Sequence, residues 1–231
     1  MNGRFLDRRD AGVALAARLA QYAGRDDALV LGLPRGGVPV AAEVARTLGA
    51  PLDVFVVRKV GVPGSEELAM GAVASGGVRV VNDAVLEQLG IPESVFLEAA
   101  QREVRELARR EALYRGVQSG IDPRGRMTII VDDGIATGST MLAAVAAVRA
   151  REPAAVVVAV PVASADVAAE LRRVADHVVC VHETLELDGV SAWYDDFRQT
   201  TDAEVRTLLD AGARTRRAGP PEQRNAGADS I

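Results

Sequence analysis

Residues 127–140, MTIIVDDGIATGST, constrain the fold of this chain more than any other stretch, because an apolar run stops at two adjacent acids and a hydroxyl-rich turn then opens a helix. Met127, Ile129, Ile130 and Val131 are too few for a helix of ordinary length. A nearly unbroken apolar run of that size is what a strand buried on both faces of a parallel sheet shows. Asp132 and Asp133 therefore stand at a strand's carboxyl end. From Ser139 onward the spacing changes to 3.6, with Met141, Val145 and Val148 on one face, so 136–140 is the entry loop and first turn of a helix. The free amides and partial positive charge of such a turn form an anion site, and small residues let the backbone approach a phosphate closely. Thr137, Ser139 and Thr140 add hydroxyl donors. Two carboxylates beside that anion repel it unless they face something else, and ribose hydroxyls or a magnesium ion are species that welcome them. A ribose 5-phosphate satisfies both halves. The plainer reading, acids that end a strand and a Thr137 or Ser139 that caps a helix, accounts for single residues but not for the whole ordered run.

Two further segments carry the same kind of pattern. The apolar strand 28–33 runs into Leu33-Pro34-Arg35-Gly36-Gly37, and a helix follows with Val40, Val44 and Leu48 on one face, so amides again point at an anion. Arg58 and Lys59 end a predicted strand over 52–57 and lead into the glycine-rich stretch 61–67, in which Pro63, Gly64 and Ser65 read as mobile and Glu66 and Glu67 as solvated. Lys59 is the only lysine in a chain with 27 Lys plus Arg. A compact ammonium in a chain that otherwise uses arginine suits pyrophosphate oxygens better than a planar fork does.

The run Ile129-Ile130-Val131-Asp132-Asp133-Gly134-Ile135-Ala136-Thr137-Gly138-Ser139-Thr140 resembles the fingerprint of the type I phosphoribosyltransferases, an apolar strand, two acids and a turn ending in T-G-x-T. The resemblance extends in order of elements from about residue 29 to about residue 182. It implies an open parallel α/β sheet flanked by helices, from which this chain departs by a helical hood or insertion larger than the compact members of the family need. It also implies that Ala136, Thr137, Gly138, Ser139 and Thr140 hold the 5-phosphate of phosphoribosyl pyrophosphate (PRPP), while Asp132 and Asp133 meet the ribose hydroxyls. Arg35, Gly36, Gly37, Arg58 and Lys59 match pyrophosphate contacts, often made in the family through a strained non-proline peptide bond, and 61–67 resembles the family's closing loop. Catalysis would rest on Asp132, Asp133 and Lys59. The implied cofactor is Mg2+, held mainly by PRPP with Asp132 and Asp133 nearby. The implied reaction moves the phosphoribosyl group to a nitrogenous base in purine or pyrimidine salvage and releases pyrophosphate. Relatives acting on 6-oxopurines carry an acid where this chain has Ala136, which weighs against hypoxanthine or guanine as the acceptor. A non-catalytic regulator that binds PRPP or a nucleotide on the same fold is the alternative. A P-loop enzyme is excluded because no G-x-x-x-x-G-K-[ST] occurs.

Elsewhere, 154–160 and 177–181 read as buried strands separated by a helix over 166–174. Residues 83–89 form a predicted helix, 90–92 interrupt it, and a long helix runs to about residue 115 with Phe96, Ala100, Val104, Leu107 and Tyr114 inward and Glu98/Arg102 and Glu106/Arg110 paired outward. This insertion, about 83–116, is expected to form a hood or an oligomer contact within one domain over 1–210. Past the last strand, Glu183, Trp193 and Tyr194 are candidates for a base pocket, since ligands sit outside the strands' carboxyl ends. The plainer reading is that Trp193 and Phe197 anchor the short helix predicted over 202–209. Residues 211–231 read as a disordered tail. A net charge of −5 argues against a nucleic-acid surface. The single Cys180 permits no internal disulfide, and no signal peptide or spanning segment is evident, so a cytoplasmic location is expected; a homo-oligomer is expected as well, with the helical insertion as a candidate contact. On this reading Asp133→Asn weakens PRPP binding and leaves the melting temperature nearly unchanged.

Overall fold

The computed structural model describes residues 3–116 and 119–218. Its strands are β1 (Ala28–Gly32), β2 (Leu52–Val54), β3 (Val57–Val62), β4 (Ser65–Ala74), β5 (Val78–Val81), β6 (Met127–Val131), β7 (Ala155–Ser164) and β8 (His177–Thr184). Its α-helices are α1 (Arg8–Arg18), α2 (Gly37–Leu48), α3 (Asp83–Leu89), α4 (Glu93–Arg115), α5 (Ser139–Arg149), α6 (Ala165–Leu171) and α7 (Asp202–Ala218). Five strands pair in parallel in the order β2-β1-β6-β7-β8, and every residue of β1 and β6 is buried. That burial on both faces is why these strands read as unbroken apolar runs rather than as alternation.

One face of the sheet packs on α1, α2 and α7, with Leu15, Val40, Val44 and Val205 in a shared core. The other packs on α5 and α6 through Met141, Val145, Val148 and Leu171. The chain leaves β1 for β2 on one side and returns to β6 on the other, so the strand order reverses between β1 and β6. A crevice at such a switch point, outside the carboxyl ends, is where open α/β sheets hold ligands.

Several expectations are corrected. The strand expected over 52–57 breaks after Val54, and β3 opens a separate three-stranded antiparallel sheet, β3-β4-β5. Arg58 and Lys59 therefore lie inside a strand, not at one's end. The stretch 61–67, expected to be a mobile loop, holds the tip of the β3–β4 hairpin, closed by Pro63 and a left-handed Gly64 (φ 80°), with a register shift at Gly61. Only glycine fits at 61, since a β-carbon there would stand 2.7 Å from the Glu66 carbonyl oxygen. β8 continues through His182, Glu183 and Thr184, beyond the strand expected over 177–181. α7 continues to Ala218, into the segment expected to be disordered, while 219–231 lie outside the described residues.

The helical insertion has the expected extent. α4 backs the antiparallel sheet rather than only roofing the parallel one: Phe96 is fully buried, and a β-carbon on Gly71 of β4 would stand 2.5 Å from its ring. Glu106 pairs with both Arg110 and Arg109, whereas Glu98 and Arg102 form no ion pair among the described residues. Cys180 is partly buried in β8 with its thiol pushed up to about 11 by burial, which makes it an unreactive packing residue. No helix among the described residues is long and apolar enough to cross a membrane.

Candidate active site

The loops that leave β1 and β6 meet at the switch point. Leu33 N–H donates to the Val131 carbonyl at 2.9 Å, and Gly37 N–H to the Leu33 carbonyl at 3.0 Å, so the first loop folds back against the end of β6. The Pro34–Arg35 peptide is cis. Two glycines follow because there is no room for side chains: a β-carbon on Gly36 would lie 2.0 Å from Asp133 Oδ2, and one on Gly37 would lie 2.6 Å from the Val131 carbonyl oxygen. Such close backbone approach is the usual reason for glycine outside a left-handed turn.

Asp132 and Asp133 sit in this crevice, both partly buried. Asp132 Oδ1 accepts from the Asp133 amide at 2.9 Å. Burial and then the neighbouring Asp133 charge hold the Asp132 carboxyl well above the usual carboxylate range. Burial also raises Asp133, against the opposing pull of Arg8. No pattern along the sequence singles out Arg8. Its Nε donates to Asp133 Oδ2 at 2.7 Å from the first turn of α1, and its Nη1 donates to the Arg198 carbonyl at 2.7 Å. Its guanidinium carbon lies 3.9 Å from the centre of the Phe197 ring. The one local trace of this role is that a cation at a helix N-terminus opposes the helix dipole, so Arg8 needs an acid from elsewhere.

The turn after the acids is pinned at both ends. Ile135 N–H donates to the Val162 carbonyl at 2.9 Å, and Gly138 (φ 76°) begins α5, its carbonyl accepting from Leu142 N–H at 2.8 Å. Between these anchors Ala136 and Thr137 are exposed, as is Thr140, and Ser139 is partly buried. Asp7, Asn82 and Ser164 cap α1, α3 and α6 with their side chains, but α2 and α5, the helices that begin at this crevice, have no side-chain cap. In α2 the Gly37 and Val38 amides donate to the Leu33 and Arg35 carbonyls, whereas the first-turn amides of α5 are left for an outside acceptor.

The remaining expected residues divide. Arg35 is partly exposed, with Nη1 3.9 Å from Asp202 Oδ1, an oxygen that also accepts from Tyr114 Oη at 3.1 Å. Arg58 pairs with Glu103 of α4 at 2.5 Å, on the face of β3 that packs against that helix. Lys59 alternates to the other face of β3, the face on which Val57 joins the core around α5, and it is exposed. Tyr194 is 2% exposed, and its hydroxyl donates to the Asp133 carbonyl, so it supports the acid pair instead of offering a ring to a base. Trp193 stacks on His182 with ring centres 5.2 Å apart, and Glu183 pairs with Arg172. The side chains expected to line a base pocket are thus engaged with other parts of the chain. No group of three or more His, Cys, Asp or Glu among the described residues could hold a metal ion.

Comparison with known proteins adds to this geometry. A family model described as "Phosphoribosyl transferase domain" matches residues 7–191. Two Mycobacterium tuberculosis proteins, from strains CDC 1551 / Oshkosh and ATCC 25618 / H37Rv, each named "Putative phosphoribosyl transferase", are 46% identical over 225 residues. The match takes in 94% of this chain and 51% of each relative, so the chain spans about half the length of the curated relatives it matches. The crystal structure of TT1426 from Thermus thermophilus superposes with a TM-score of 0.80 at 45% identity, covering 89% of this chain and 97% of that one.

Proposed function

The chain belongs to the phosphoribosyl transferase domain family, and from that premise we propose that it transfers the 5-phosphoribosyl group of PRPP to a nitrogenous base with release of pyrophosphate. The observation that carries this reading is the convergence, at the switch point between β1 and β6, of an uncapped helix turn, an acid pair and a second glycine loop. A phosphate needs unpaired amides, a vicinal diol needs fixed carboxylates, and the crevice offers the two side by side.

In this reading 136–140 seat the 5-phosphate by main-chain amides and hydroxyls. Asp132 and Asp133 accept from the ribose hydroxyls, and Arg35 with the Gly36 amide meets the pyrophosphate at a loop whose Gly36 and Gly37 leave room for it. The bond from the anomeric carbon to the pyrophosphate oxygen breaks as a bond to the base nitrogen forms, and positive charge grows on the ring. Carboxylates beside the ring stabilise that charge without forming a covalent bond. Lys59, on the hairpin face turned toward α5, is the ammonium suited to the departing pyrophosphate. Two carboxylates, one of them already paired with Arg8, make an incomplete protein cage but fit a magnesium ion carried chiefly by substrate oxygens, where it would offset pyrophosphate charge. With Ala136 in the turn, no side chain there takes a proton from the base.

The test is calorimetric titration of PRPP with and without Mg2+, followed by a screen of nucleobases for pyrophosphate release. Magnesium-dependent binding and release with at least one base is the expected result. Binding without release from any base would move the assignment to a PRPP-binding regulator, and no binding at all would remove it.

A further inference from the structure

Asp133 is held by a residue 125 positions away in the chain. Arg8 is fixed on three sides: Nε on Asp133 Oδ2 at 2.7 Å, Nη1 on the Arg198 carbonyl at 2.7 Å, and the guanidinium over the Phe197 ring at 3.9 Å. Both members of the ion pair are mostly shielded, with side chains 12% and 15% exposed. A second clamp acts on the backbone, where the Tyr194 hydroxyl donates to the Asp133 carbonyl. The N-terminal segment is joined to the segment bearing these aromatic residues by the Phe5–Tyr194 bridge, with Phe5 N–H donating to the Trp193 carbonyl at 2.8 Å. Among the described residues, the side-chain donor to the Asp133 carboxylate is Arg8 Nε, and it engages Oδ2.

We propose that Arg8 is a positioning residue for sugar recognition: by engaging Oδ2 it fixes the Asp133 carboxylate in one rotamer and leaves Oδ1 to accept from a ribose hydroxyl. The inference rests on the sugar-phosphate reading of the crevice and adds a determinant of preference for ribose over 2-deoxyribose. An aspartate free to turn about its side-chain bonds gives up that freedom when a diol binds, whereas one already held does not. The Phe197 ring restrains the guanidinium in turn, and the planar guanidinium suits stacking and directional donation together. Arg8 need not touch the sugar.

The experiment measures binding of PRPP with Mg2+, of ribose 5-phosphate and of 2-deoxyribose 5-phosphate to the wild-type chain, Arg8→Ala, Arg8→Lys, Asp133→Asn and the Arg8→Ala/Asp133→Asn double variant, with the melting temperature of each. Arg8→Ala is expected to weaken PRPP roughly tenfold or more and to narrow the preference for ribose 5-phosphate over its 2-deoxy analogue. Arg8→Lys recovers part of both effects. The double variant binds no worse than Asp133→Asn alone, because the two residues act as a unit. Should Arg8→Ala fail to fold, Phe197→Leu serves instead, with a smaller loss of the same sign. Unchanged or tighter binding in Arg8→Ala, or losses that simply add in the double variant, overturns the proposal while leaving the PRPP reading in place. A wild-type chain that binds neither PRPP nor ribose 5-phosphate overturns both.

Discussion

Gly36 lies so close to Asp133 that a β-carbon on it would stand 2.0 Å from the carboxylate oxygen Oδ2, the oxygen that Arg8 holds. The two loops of the crevice are thus in contact, and the first cannot change without moving the second.

Gly36→Ala tests this directly. The backbone there is helical (φ −61°), so the new methyl is opposed only by the carboxylate and by Arg8 Nε, 3.2 Å away. The carboxylate must swing aside and leave Arg8. Expected outcomes are a stability loss of about 1–3 kcal/mol in a denaturant melt and a fall in PRPP affinity. Wild-type affinity in a folded Gly36→Ala chain would show that the loops act separately.

Asp133→Asn is expected to weaken PRPP binding and also to lower the melting temperature, which revises the expectation drawn from the residues alone. The amide still accepts from Arg8, but the shielded guanidinium loses its counter-charge. A loss of about 1–3 kcal/mol follows from weakening a charged hydrogen bond of this kind. Differential scanning calorimetry decides between this and an unchanged Tm.

Asp132 shares the upward shift of Asp133 but has no ion pair of its own among the described residues. Its carboxyl is held well above the ordinary range by burial and by Asp133, so the folded state resists ionising it. The cost is present in full at pH values above the raised folded value and disappears as pH falls through that value toward the unfolded one. Asp132→Asn, which keeps an oxygen for the Asp133 amide, should raise Tm at neutral pH by roughly 2–4 °C per kcal/mol recovered. That advantage should shrink on acidification. A gain that persists or grows at low pH contradicts the assignment.

Arg58 and Lys59 separate by face. Lys59→Met, at an exposed position, should change stability by no more than about 0.5 kcal/mol while lowering kcat/KM for pyrophosphate release. Arg58→Met loses the Glu103 pair, a matter of about 0.2–1 kcal/mol, and should leave kcat/KM in place. The reverse assignment of effects would mean that Arg58, not Lys59, faces the pyrophosphate.

Local sequence carried a large part of this protein. The unbroken apolar runs of β1 and β6, the shift to helical spacing at Ser139 and the Asp132-Asp133 boundary all report burial within one element, and the structure has them where the spacing puts them. The phosphate-type turn was legible for the same reason, since its small residues, hydroxyls and acids are contiguous. Only the tertiary structure decided that Arg58 turns to Glu103, that residues 57–81 build a second sheet, and that Tyr194 and Arg8 brace Asp133. Periodicity records which side of an element is covered, whereas an ion pair between positions 8 and 133 depends on the path the chain takes between them, and no spacing along the sequence encodes that path.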